Sequence, residues 1–169
     1  NNGDNIAITQ NGKTFTIGTS KNVTLSTTAY TYTGKVRKPA VKVVVNGKKV
    51  AASNYTVKYS SGRKNVGSYT VTITLKNNYS GTVKKTFTIV PKTTSISKVT
   101  AGTKKLTVKW KKQATQTTGY QLQYGTSSKF KGAKTATITK NKTVSKAISK
   151  LTLKEKELTL KAGKKAKIQ

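Results

Sequence analysis

Apolar and polar residues alternate with a period of two along much of this chain. The pattern occurs at residues 55–59, 69–75, 106–110, 120–124 and 136–138. Such alternation places every second side chain on the same face, as in a β-strand with one face buried. Thr is frequent at the polar positions, where its branched Cβ favours extended backbone. The sequence therefore predicts antiparallel sheets whose apolar faces pack together.

Turn signals separate these segments. The pairs are Asn46-Gly47, Ser61-Gly62, Ser80-Gly81 and Ala162-Gly163. Small residues followed by Gly permit the tight reversals that join antiparallel strands. No segment of useful length has an amphipathic helical period. The fold class predicted is all-β, with two antiparallel β-sandwiches in tandem.

Pro91 marks the predicted boundary between the two sandwiches. Residues 22–90 would form the first, residues 91–95 a short linker, and residues 96–169 the second. Residues 1–21 contain a strand-like stretch at 13–17, which either leads into the first sandwich or ends a preceding module. The chain begins at Asn1 without a Met, so we expect it to be a piece of a longer protein. The longest apolar stretch, residues 43–45, is far too short to span a bilayer, and we expect no signal peptide within these residues.

The scarcity of acidic residues and the absence of Cys and His restrict the chemistry. The 169 residues include 34 Lys or Arg but only three carboxylates, Asp4, Glu155 and Glu157, for a net charge of +31. Without thiols or imidazoles there are no thiolate or imidazole metal sites, no Cys or His nucleophile, no Ser-His-Asp relay and no disulfides. Three carboxylates give little material for an acid–base pair or a calcium site. We expect no enzymatic activity, no catalytic residues, no cofactor and no metal.

The basic residues indicate a polyanionic partner. Only Arg37 and Arg63 are arginines, whereas sequence-reading proteins rely on Arg forks. Lysines make diffuse contacts that depend on salt, so we expect cell-wall or host polyanions as partners and no specific nucleic acid. The densest basic stretch is a candidate polyanion patch formed by Lys104, Lys105, Lys109, Lys111 and Lys112.

The first predicted sandwich carries an ordered series of motifs. They are Tyr30-Thr-Tyr-Thr-Gly34, Lys38-Pro39, Val41 to Gly47, Asn54-Tyr55-Thr-Val-Lys-Tyr59, Asn65-Val-Gly67, Tyr69-Thr-Val-Thr-Ile73, Asn78-Tyr79-Ser-Gly81 and Lys85-Thr-Phe-Thr-Ile89. In this order they resemble the immunoglobulin-like repeats of Gram-positive surface proteins, over residues 22–90. The resemblance implies a bacterial Ig-like β-sandwich on a cell surface.

The second predicted sandwich resembles another module. Its motifs are Val99-Thr-Ala-Gly102, Leu106-Thr-Val-Lys-Trp110, Thr118-Gly-Tyr-Gln-Leu-Gln-Tyr124, Ser127-Ser-Lys-Phe130 and Ile148-Ser-Lys-Leu151. They resemble a lysine-rich bacterial fibronectin type III module over residues 96–151. The resemblance implies that Trp110 lies in the core with the third-strand tyrosines, Tyr120 and Tyr124, beside it. A carbohydrate-stacking platform formed by these three rings is the alternative, and alternation favours the core.

The tail departs from the fibronectin pattern. Residues 152–169 either complete the second sandwich or begin a further Ig-like repeat. We expect completion, because residues up to 151 would leave an unpaired sheet edge. Leu158, Leu160 and Ile168 would cover the core around Trp110, with Ala162-Gly163-Lys164 as the turn between two strands.

These observations give one expected function and two alternatives. We expect a non-catalytic structural or adhesion segment, a stalk or spacer, in an extracellular bacterial protein that is secreted or attached to the cell wall. One alternative is a polyanion-binding module for teichoic acid, glycosaminoglycan or nucleic acid. The other is an accessory region of a secreted hydrolase whose catalytic domain lies elsewhere.

Overall fold

The chain is all-β. A computed structural model describes residues 5–125 and 129–149, together with the backbone of residues 159–162. Within these ranges the helical segments are two short 3-10 turns, Ser20–Asn22 and Ala52–Asn54. No helix in the described ranges is long and apolar enough to cross a membrane. The chain divides between Ile89 and Val90 into two compact units.

The first unit contains three antiparallel sheets. Their strands are β1 (Asn5–Gln10), β2 (Lys13–Thr19), β3 (Val23–Leu25), β4 (Ala29–Thr31), β5 (Val41–Val45), β6 (Lys48–Lys49), β7 (Tyr55–Tyr59), β8 (Gly67–Leu75), β9 (Tyr79–Ser80) and β10 (Thr82–Val90). The strand orders are β2-β1-β9, β4-β10-β8-β7 and β3-β5-β6. The predicted strands at 55–59 and 69–75 are confirmed as β7 and most of β8.

Side chains from all three sheets form one core in the first unit. The fully buried members, each at most 1% exposed, are Ile6, Val23, Val43, Val71, Ile73, Val83, Phe87 and Ile89. Along β8, Val71, Ile73 and Leu75 are buried at every second position, so the period-two pattern produces this core directly. Layered sheets around a shared core are compatible with a β-sandwich.

Residues 5–19 belong to the first unit. They form the hairpin β1–β2, and Ala7 and Ile8 pair with Ser80 and Tyr79 of β9. Ile6 is fully buried in the core of the first unit. The strand-like stretch at 13–17 therefore lies within this unit, as part of β2.

Two turns of the first unit have the backbone that tight hairpins require. Asn46 and Gly47 both have positive φ, +48° and +72°, and join β5 to β6 as predicted. Asn11 and Gly12, with φ of +50° and +72°, join β1 to β2 in the same way. Two successive residues of positive φ give the turn a twist that matches the strands.

The second unit contains two antiparallel sheets, with strand orders β11-β12-β15 and β14-β13-β16. The strands are β11 (Ile96–Gly102), β12 (Lys105–Trp110), β13 (Tyr120–Gly125), β14 (Lys134–Ile138), β15 (Ser145–Ser149) and β16 (Thr159–Ala162). The core joins both sheets through Leu106, Val108, Trp110, Tyr120, Leu122, Ile138 and Ile148. The strands predicted at 106–110, 120–124 and 136–138 are confirmed as parts of β12, β13 and β14.

Part of the tail pairs with the second unit. The backbone of β16 is antiparallel to β13, with Leu160 opposite Tyr124 and Ala162 opposite Leu122. Ala162 is therefore the last residue of a strand. Leu158, Ile168 and the rest of the predicted turn, Gly163-Lys164, lie outside the described residues.

The segment predicted as a linker is hydrogen-bonded to the second unit. The carbonyl of Ser95 accepts from the backbone N–H of Lys111 at 3.0 Å, and the carbonyl of Thr93 accepts from the Gln113 amide at 2.9 Å. The Thr94 hydroxyl donates to the carbonyl of Lys111. These bonds tie residues 93–95 to the end of β12.

Candidate polyanion-binding surface

The sheet β11-β12-β15 turns a basic face away from the core of the second unit. Leu106, Val108 and Trp110 of β12 are buried, so the intervening side chains project from the opposite face. Two of those are lysines, Lys105 and Lys109, and both are exposed. This alternation follows directly from the sequence of β12.

The strand register adds a third lysine. Lys98 of β11 lies directly opposite Lys109, and residues opposite each other on neighbouring antiparallel strands share a face. Lys105 lies between the small residues Gly102 and Ser149. We call Lys98, Lys105 and Lys109 the lysine face.

The predicted patch is spread along a line. Lys104 lies in the turn before β12, with φ of +49°, and Lys111 and Lys112 follow the strand. All five predicted lysines are exposed, but only Lys105 and Lys109 lie within β12. At about 3.3 Å per residue these two are about 13 Å apart, which exceeds the Debye length of about 8 Å in physiological salt. The structure thus places the predicted lysines in a row and does not gather them into one cluster.

Sequence reasoning missed Lys98, because it lies on a different strand. Its position depends on the two-residue turn Thr103-Lys104, across which Gly102 pairs with Lys105. Counting outward from that turn brings Lys98 opposite Lys109. The turn lacks the Asn-Gly or Asp-Gly pair that identifies most such hairpins, so the register had no local signal.

No carboxylate offsets the lysines in the described part of the chain. Asp4, Glu155 and Glu157 all lie outside it, and within it no group of His, Cys, Asp or Glu could hold a metal ion. Lysines elsewhere are equally accessible: every lysine whose side chain is described is exposed, except the half-buried Lys85. Lys98 and Lys109 lie directly opposite each other, and like charges at such positions are unfavourable, so a bound polyanion would offset them.

The two arginines serve the first unit internally. The Arg37 guanidinium lies 5.0 Å from the Tyr30 ring centre and donates to the Thr33 hydroxyl at 2.9 Å. The Arg63 guanidinium lies 5.1 Å from the Tyr59 ring centre. It donates to the carbonyls of Ser60 at 2.7 Å and Arg37 at 3.2 Å. Arg63 is therefore held by the protein's own backbone and an aromatic ring, whereas the buried Nε–H of Arg37 has no acceptor among the described residues.

The candidate aromatic platform is largely core. Trp110 and Tyr120 are 5% and 7% exposed, and their ring centres are 5.5 Å apart. The Tyr120 hydroxyl accepts from the Gln113 N–H and donates to the Asn141 carbonyl, each at 3.1 Å. Tyr124 is half-buried and packs against the same core. The packed-core interpretation of Trp110 and Tyr120 is confirmed.

No known protein family matches this chain, and no curated protein matches it.

Proposed function

We propose that this chain is a non-catalytic spacer of a secreted or cell-wall-associated bacterial protein. The observation that carries the proposal is the presence of two serial β units, each with its own apolar core. Such units can be joined in series to make a longer spacer, because each buries its apolar side chains in its own core. The first would be an Ig-like sandwich and the second a fibronectin type III-like sandwich. The motifs that resemble those families support these assignments.

A display experiment tests the spacer. The chain is inserted between a wall anchor and an epitope tag on a Gram-positive cell, and antibody access to the tag is measured. A Gly-Ser linker of about 40 residues is the control, because such a linker is a flexible random coil with an end-to-end distance of only about 35 Å. The spacer proposal predicts greater access with the chain than with the linker. Equal or lower access, unchanged by high salt, would contradict it.

Polyanion binding is a second candidate function, favoured by the exposure of the lysines. Because these are spread over both units and no described carboxylate pairs with them, we propose diffuse attraction to any anionic polymer. Affinity would then follow the number of charges and would fall steeply with salt, as counterion release requires.

Two matched triple variants test the diffuse mechanism. One replaces the lysine face by Gln at Lys98, Lys105 and Lys109, and the other replaces the exposed Lys42, Lys58 and Lys84 of the first unit. Binding to heparin and to teichoic acid is titrated at rising salt. Diffuse attraction predicts equal losses of affinity and equal decreases in salt dependence for the two variants. A loss confined to the lysine-face variant, or binding that survives high salt, would indicate a shaped site instead.

A further inference from the structure

The hairpin β1–β2 has apolar side chains that lie outside the core of the first unit. Ile8 lies opposite Phe15 of β2 on one side and opposite Tyr79 of β9 on the other. The three side chains therefore form one row across the sheet β2-β1-β9. Tyr79 packs partly against the core, whereas Phe15 is 51% exposed. The row begins at the core and ends in solvent.

Phe15 belongs to a strand at the edge of its sheet. In the described residues β2 pairs with β1 alone. Its first four residues, Lys13 to Thr16, are all exposed. An edge strand presents unpaired N–H and C=O groups, and proteins commonly protect such edges with Lys, Pro, inward charges or bulges. Strand β2 contains no Pro, its one lysine, Lys13, is its first residue, and its register shift falls at residues 16–18, after Phe15. The edge beside Phe15 is thus open to a further strand.

We propose that the β2 edge binds an extended acidic segment of another protein by strand addition. An added strand would complete the backbone hydrogen bonds of β2 and would place an apolar side chain against Phe15. The positive charge of this chain favours an acidic segment over a second copy as the strand that binds at the β2 edge. A second copy would bring two charges of +31 together, whereas an acidic segment is attracted to Lys13 at one end of β2 and to the exposed Lys21 beyond the other.

The probe is an eight-residue peptide of alternating Glu and Val with blocked ends. In an extended strand its Val side chains share one face and its Glu side chains share the other. Two derivatives of the peptide carry backbone N-methyl groups. The first is methylated at every Val, and the second is methylated at every Glu. Successive N–H groups of a strand point to opposite edges, so each derivative blocks only one edge of the peptide.

Strand addition predicts that one methylated peptide loses at least tenfold in affinity while the other keeps it, because the lost hydrogen bonds lie on one edge. Backbone NMR shifts on binding should concentrate at residues 13–19. Phe15→Ala should weaken binding several-fold. Its matched control, Val36→Ala, removes a side chain that is 60% exposed elsewhere in the first unit and should leave affinity unchanged.

Three results would overturn the proposal. Equal binding of both methylated peptides, or equal binding of an octamer of Glu, would show that charge alone attracts the peptide. Self-association of the chain in sedimentation, abolished by Phe15→Ala, would identify a second copy as the occupant. The methylated peptides leave the protein unaltered, so they decide the question even where a substitution disturbs the fold.

Discussion

At the scale of single residues, burial separates core residues from surface candidates. Trp110 was a candidate for both roles, and its 5% exposure assigns it to the core. Its indole N–H is buried and has no hydrogen-bond acceptor among the described residues. The contribution of Trp110 to stability must therefore come from its apolar surface and its contact with Tyr120.

We expect Trp110→Ala to cost the second unit about 3–5 kcal/mol, the range for deleting a large buried aromatic. Trp110→Phe should cost much less, because it keeps a ring in the core and removes the unpaired N–H. Denaturant midpoints of the two variants measure the difference. Equal losses in the two variants would contradict the assignment of the Trp110 contribution to its buried ring.

The hydroxyl of Tyr59 makes the first unit sensitive to alkaline pH. Burial raises the pKa of Tyr59 above its ordinary value of 10.0, although the nearby Arg63 guanidinium acts in the opposite direction. The hydroxyl also donates to the Pro39 carbonyl at 2.7 Å. Below pH 10 the phenol is neutral in both the folded and the unfolded chain. Above that pH the unfolded chain loses the proton first, so the free energy of unfolding falls.

The comparison with Tyr59→Phe isolates this effect from every other pH-dependent change, because the two proteins differ only in the Tyr59 hydroxyl. The stability advantage of the wild-type protein over Tyr59→Phe should be constant up to about pH 9 and should shrink above pH 10. Chemical denaturation at several pH values measures it. An advantage that grows above pH 10 would contradict a raised pKa.

At the scale of elements, Gly81 fixes where the first hairpin attaches. A Cβ at this position would lie 2.0 Å from the carbonyl oxygen of Asn5, and the φ of Gly81 is +116°. Only Gly permits both the backbone conformation and the close approach of β1. Gly12 offers a matched control, because it has φ of +72° and open space around its Cα.

We expect Gly81→Ala to destabilise the first unit by several times as much as Gly12→Ala. The control carries only the cost of positive φ, about 1 kcal/mol. Thermal unfolding of both variants tests this, and hydrogen exchange should show lost protection across residues 5–10 in Gly81→Ala alone. Equal effects would contradict a close contact between Gly81 and β1.

The tail supplies an edge strand to the second unit. Strand β16 pairs with β13 on the side opposite β14. Deleting residues 152–169 should therefore lower the unfolding temperature of the second unit and leave the first unchanged, because it exposes the edge of β13. Calorimetry with two resolved transitions measures this. An unchanged second transition would assign the tail to a following module.

The sequence predicted strands well and their partners less well. Alternation identified β7, β8, β12 and β13, because burial on one face is a local property of each strand. It could not show that Ala7 pairs with Ser80, since pairing between distant segments depends on how their side chains pack. For the same reason the sequence did not predict that Lys98 lies beside the lysines of β12. The lysines of β12 itself were predicted as a group, because they are neighbours in sequence.

At the scale of the whole molecule, charge and core have separate roles. The lysines whose side chains are described lie almost entirely on the surface, whereas the two cores are built from aliphatic and aromatic side chains. Repulsion between the lysines therefore lowers the stability of both units, and neither core depends on a lysine. Added salt should raise both unfolding temperatures by screening that repulsion.

The central claim is that the chain consists of two self-contained β units, as a spacer built from modules requires. Calorimetry of the whole chain and of separately produced residues 1–90 and 91–169 tests it most directly. We predict that each fragment unfolds cooperatively, and that the two transitions together reproduce those of the whole chain. A fragment that fails to fold, or a single transition of the whole chain absent from both fragments, would contradict the claim.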